Sequence, residues 1–121
     1  PIEASYIAKK LKCKTVGVSS ESYYKIAKKS KYKKRLSEVI DYHFDNYGPP
    51  GDALIGIKKN FNVSPFSTIA GSFILNSIIS EVAELAKNEK LFPFYISGNM
   101  PNAEQHNNKL MKKYMKKNPH L

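Results

Sequence analysis

Ser19, Ser20, Asn46, Ser67, Thr68 and Asn99 have the side chains and the placements to hold a small anionic ligand, while Asp52 offers either to orient a ligand hydroxyl or to bond its own turn. Ser19-Ser20 closes a short β-branched run, and Asn46 and Asp52 flank Gly48-Pro49-Pro50-Gly51. Ser67-Thr68 opens a long apolar stretch, and Asn99 lies in a polar loop before the last amphipathic one. Hydroxyls beside the unpaired amides of a helix start suit phosphate, because those N–H groups and the helix dipole both favour negative charge. For proton transfer the best offer is Glu104 with His106, a carboxylate and an imidazole. Two residues apart, they point about 200° away from each other on a regular helix, so they converge only if one belongs to the loop or cap. Glu3 is a third candidate, although a first-turn carboxylate also serves the dipole. His43 and His120 lack companions at ligand spacing, so no metal and no cofactor is expected. No Ser-His-Asp arrangement emerges from spacing, and the Gly48–Gly51 turn lacks the pattern of a nucleotide-phosphate loop.

The elements that must position these groups follow from periodicity. Residues 65–86 set Ile69, Phe73, Ile74, Ile78, Val82 and Leu85 at helical spacing. Apolar residues surround the first half of this segment and charge arrives only at Glu81, which predicts a helix buried on most sides, with the rest of the chain packed around it. Its Ser, Asn and Gly interruptions argue against a membrane span. Pro1-Ile2-Glu3 starts a helix well, and Ile2, Tyr6, Ile7 and Leu11 give it one apolar face. Residues 15–19 read as a buried parallel strand. Residues 22–37 read as a crossover with a short helix and a basic loop, Lys25, Lys28 and Lys29 sharing one face. Residues 38–45 read as the next strand, 53–57 and 61–63 as a hairpin, 93–97 as a third core strand, and 103–117 as a last helix. Alternating helices and strands indicate an α/β class with a parallel sheet, whose sites gather beyond the carboxyl ends of its strands. Ser67, Thr68 and the loops at 49–52 and 99–106 are accordingly expected on one edge.

A chain of 121 residues with 41% hydrophobic content is sized for one domain. Its lysine-rich start has no apolar signal segment, which predicts a cytoplasmic, soluble protein without membrane contact. Cys13, the sole cysteine, reads as a small buried or half-buried thiol. The net charge of +10 is concentrated at the two ends. All but one of the 20 cations are lysine, a point charge without arginine's planar fork, so a solvated lysine surface is favoured over nucleic-acid binding. The stripe Lys109, Lys112, Lys113, Lys116 and Lys117 reads the same way, opposite a docked face of Leu110, Met111, Tyr114 and Met115.

The order Thr15-Val16-Gly17-Val18-Ser19, Asp45-Asn46 with Pro49-Pro50-Gly51-Asp52-Ala53, Ser67-Thr68-Ile69-Ala70-Gly71-Ser72, and Ser97-Gly98-Asn99 with Glu104-Gln105-His106-Asn107 resembles the carboxyl-terminal half of sugar isomerase (SIS) domain proteins. It is most similar to a bacterial group of uncharacterised SIS proteins about twice as long. The resemblance implies a flavodoxin-like, three-layer α/β/α domain, of which residues 1–121 would form the carboxyl-terminal part. Its main phosphate loop, a Ser-x-Ser-Gly turn, would lie just before Pro1. The segment 30–36 departs from the family pattern, keeping only its basic residues and Leu36. The resemblance further implies phosphosugar binding, with Glu104 or Glu3 as base and His106 opening the ring in an aldose-ketose isomerisation. A non-catalytic phosphosugar sensor is the alternative, and a nucleic-acid-associated protein a more distant one. A homo-oligomer is expected, with residues 16–19 presenting an unpaired strand edge and the first and central helices incompletely covered.

Overall fold

The computed structural model describes residues 1–28 and 31–118. Lys29 and Ser30 of the predicted crossover, and His120, lie outside them. The chain divides into two compact units, Pro1–Asn76 and Ser77–Leu121.

The first unit opens with α1 (Ile2–Lys10), followed by β1 (Val16–Ser19), α2 (Glu21–Tyr24), a single 3-10 turn at Leu36–Glu38, and β2 (Tyr42–Asp45). β1 and β2 pair in parallel, with Gly17 opposite His43 and Ser19 opposite Asp45. The register is clamped at its entrance. The Asp41 carboxylate accepts bonds from the Thr15 amide at 2.9 Å and hydroxyl at 2.7 Å, and the Asp41 amide donates back to the Thr15 hydroxyl at 3.0 Å. Gly17 lets the 36–40 turn lie against β1: a β-carbon there would meet Ile40 Cδ1 at 2.7 Å. The strand expected over 38–45 is shorter because its first residues are bent into the 3-10 turn, where the Glu38 carboxylate takes the Arg35 amide and Val39 donates to Leu36. Among the described residues β1 has β2 on one side and no strand on the other, the open edge expected there.

β3 (Ala53–Lys58) and β4 (Phe61–Pro65) form the expected antiparallel hairpin, its reversal eased by Asn60 at φ 67°. The hairpin feeds directly into α3 (Phe66–Leu85). The predicted helix is present, yet no residue of it is buried: Ile69 is 71% and Phe73 73% exposed. Apolar composition made this helix look like a core element, but burial requires a covering surface, and the described residues leave every position of it half-buried or exposed. By length and composition α3 also meets the requirement for crossing a membrane, despite the interruptions that argued otherwise. Among the described residues the buried hydrophobic ones are instead Val39, Ala103 and Leu110. Cys13 is exposed rather than buried, because it follows the end of α1 in a turn through Lys12 at φ 58°.

In the second unit the expected strand at 93–97 does not form, and the chain runs through it irregularly to α4 (Ala103–Tyr114). Asn107 occupies the place of a strand partner: its amide oxygen accepts from the Ile96 N–H at 2.9 Å and its amide nitrogen donates to the Ile96 carbonyl at 2.8 Å. With both backbone groups of Ile96 satisfied by one side chain, no ladder is needed there. α4 docks through Ala103 and Leu110 and ends before Lys117, its last turn tightened by the bond from the Lys117 amide to Tyr114.

The clamp at the β1 entrance should make stability depend on pH. The Thr15 hydroxyl and amide, helped by Lys14, pull the Asp41 pKa from 3.8 to about 2. A lowered folded-state value stabilises the fold above the unfolded pKa, and that contribution disappears as pH falls toward 2. Asp41→Asn should therefore lower the urea midpoint at pH 7, and its deficit should shrink steadily between pH 4 and pH 2.

Candidate functional site

The carboxyl end of β1, the loop after β2 and the start of α3 surround one pocket of about 330 Å³ in the first unit. Ser19, Ser20, Asn46, Asp52 and Ser67 all line it, together with Val18, Tyr23 and the backbone of the 48–51 turn. Each position has a local cause. Pro49 to Asp52 is a type II turn, closed by the Asp52 amide on the Pro49 carbonyl at 3.0 Å, with Gly51 supplying φ 89°. That turn aims Asp52 at α3: its carboxylate accepts the Ser67 amide at 2.7 Å and the Ser67 hydroxyl at 2.8 Å. Asn46 uses its side-chain oxygen to hold the Gly48 amide at 2.9 Å. Ser20 accepts the Tyr23 amide to cap α2, and both Ser20 and Ser22 donate to the Gly48 carbonyl.

This geometry changes the expected electrostatics. The amide and hydroxyl of Ser67 that were to receive a phosphate are already engaged by a carboxylate, and among the described residues no cationic side chain lines the pocket. An anion placed at the start of α3 would meet Asp52 rather than free donors. The pocket's own groups, a carboxylate, a primary amide and hydroxyls, are those that grip O–H groups.

Thr68 does not line the pocket. Glu3 sits in the first turn of α1, where its carboxylate faces Lys31 at 3.2 Å and Tyr32 OH at 3.4 Å; the Glu3 contact also raises the Lys31 pKa. Asn99, Glu104 and His106 belong to the second unit. His106 donates from Nε2 to the Phe94 carbonyl at 2.8 Å, which gives the imidazole a structural bond beside the Asn107 tie. Among the described residues no group of His, Cys, Asp and Glu has the makings of a metal site.

Spacing did not disclose His43. Its side chain is 13% exposed, Nε2 lies 2.8 Å from the Ser19 hydroxyl, and Nδ1 lies 3.6 Å from the Glu21 carboxylate. The signal was the parallel register, which cannot be read from residues so far apart in sequence.

No family model matches the chain. It is 38% identical over 126 residues to a UPF0309 protein of Thermoanaerobacter pseudethanolicus, covering all of this chain and 51% of that protein. A UPF0309 protein of Geobacillus thermodenitrificans is 35% identical over 126 residues, and one of Brucella anthropi 34% over 122, each match covering all of this chain and 50% of the relative. The chain thus spans about half the length of the curated relatives it matches. These relatives carry a name that assigns no activity. They overturn the reading of the sequence as a sugar isomerase domain, since the similarity found is to UPF0309 proteins and not to an SIS family.

Two substitutions test the local structure. Asp52→Ala should remove the cap from α3 and cost about 1 kcal/mol in urea unfolding. Asn107→Ala should cost about 2 kcal/mol, because the backbone groups of Ile96 lose both partners, and backbone hydrogen exchange around residue 96 should accelerate.

Proposed function

We propose that the pocket beside β1 binds a small sugar, phosphosugars included, by its hydroxyl groups. The observation that carries this reading is the convergence of Ser19, Ser20, Asn46, Asp52 and Ser67 on a single space of about 330 Å³, within the range of small-molecule sites. The Asp52 carboxylate keeps lone pairs beyond those used by Ser67, and the Asn46 amide nitrogen is a donor beside it. Both suit adjacent hydroxyls of a pyranose or open-chain sugar. A phosphate on the same ligand points away from α3, whose Ser67 amide is occupied, while the net charge of +10 raises the concentration of anionic ligands near the chain. Phosphorylated sugars are retained inside cells by their charge, so a cytoplasmic location belongs to the same reading.

Titration of the chain with a panel of sugars and sugar phosphates, followed by amide chemical shifts, tests the reading. Shifts should centre on residues 46–52 and 67, and Asp52→Asn should weaken binding about tenfold through the lost charged acceptor. Tighter binding of a sugar phosphate by Asp52→Asn would place the phosphate at α3 and contradict the orientation. Absence of shifts across the panel would end the sugar reading.

A further inference from the structure

Ser19 stands at the end of β1 with its hydroxyl between two partners: the Tyr24 hydroxyl, and His43 Nε2 at 2.8 Å. Beyond the imidazole, Nδ1 faces Glu21 Oε1 at 3.6 Å. Tyr24 is stacked on the same imidazole, 6.3 Å between centroids, and is itself held by Arg35, which donates to the Tyr24 carbonyl and lies over its ring. Ser19 also lines the pocket, so the hydroxyl lies at a ligand-accessible space, while the imidazole behind it is largely shielded from water. Hydroxyl, imidazole and carboxylate in this order are what a nucleophilic serine requires: a base within hydrogen-bond reach, and a third group opposite the base's other nitrogen.

We propose that Ser19 is a base-activated nucleophile that accepts acyl groups from small esters entering the pocket. The Ser19 oxygen forms a bond to the ester carbonyl carbon while its proton passes to His43 Nε2, and the carbonyl electron pair moves onto oxygen. Collapse breaks the bond to the leaving alkoxide, which takes the proton from His43 and departs as the alcohol. Water then attacks the acyl-serine, giving its proton to His43, and the restored Ser19 hydroxyl recovers that proton as the carboxylic acid is released. Glu21 keeps the His43 proton on Nδ1 so that Nε2 is the acceptor, and Tyr24 fixes the imidazole plane. This inference needs only access to Ser19 and does not rest on the sugar reading.

The test is covalent labelling of the chain with a fluorophosphonate, in which the Ser19 oxygen bonds to phosphorus and fluoride leaves, followed by peptide mass spectrometry. The adduct should map to Ser19 and vanish in Ser19→Ala. His43→Gln, which keeps a polar group in place but offers no base, should label about a hundredfold more slowly. Glu21→Gln alters an exposed side chain and keeps the fold testable should the His43 variant fail to fold; it should slow labelling about tenfold. No adduct at Ser19, or a labelling rate in folded His43→Gln or Glu21→Gln equal to that of the native chain, overturns the proposal.

Discussion

Thr15 and Asp41 determine which residues of the first unit can meet. Their reciprocal bonds lock the entrance to a parallel pair only four residues long on each strand. Side chains in strands alternate between faces, so a slip of one residue would turn Ser19 and His43 away from each other. The lock is cheap in residues and strong in chemistry, because a charged acceptor is matched to two donors on one partner. From it follow the opposition of Ser19 to Asp45, the contact of Ser19 with His43, and the emergence of the 46–52 loop on the pocket side of β1.

Local signals in the sequence were read well where they acted locally. Helical spacing located α3 and α4, Pro49-Pro50-Gly51 announced its turn, and apolar runs on either side of Lys58-Lys59-Asn60 announced the hairpin. Signals that depend on a partner misled. Residues 93–97 have strand composition, but Asn107 takes both backbone groups of Ile96 from a helix. Ile69 and Phe73 have core composition, but the structure encloses neither. Val39, whose neighbours looked like strand, became the best-buried apolar residue of the first unit through a 3-10 turn.

The pocket was legible in part for the same reason. Ser19, Ser20, Asn46, Asp52 and Ser67 could be grouped because the edge rule for parallel strands gathers loops without any knowledge of distance. The direction of each bond could not. Asp52 looked like a turn residue and Ser67 like an anion donor, whereas the two satisfy one another and convert an expected phosphate cradle into a carboxylate-lined pocket. The pairing of His43 with Ser19 lay further out of reach, since it depends on strand register.

The bare surface of α3 sets the colloidal behaviour of the chain. The exposed apolar side chains of this helix, Ile69, Phe73, Leu75, Ile79, Val82 and Leu85, favour contact between molecules, and a net charge of +10 opposes it. The two forces answer differently to the medium: added salt shortens the reach of charge repulsion to about 10 Å at 0.1 M, whereas it leaves apolar attraction intact or strengthens it. Dispersion in dilute buffer and coalescence in concentrated salt are therefore two faces of one composition. The lysines at the chain's ends act as the solubilising counterpart of the apolar side chains that α3 exposes.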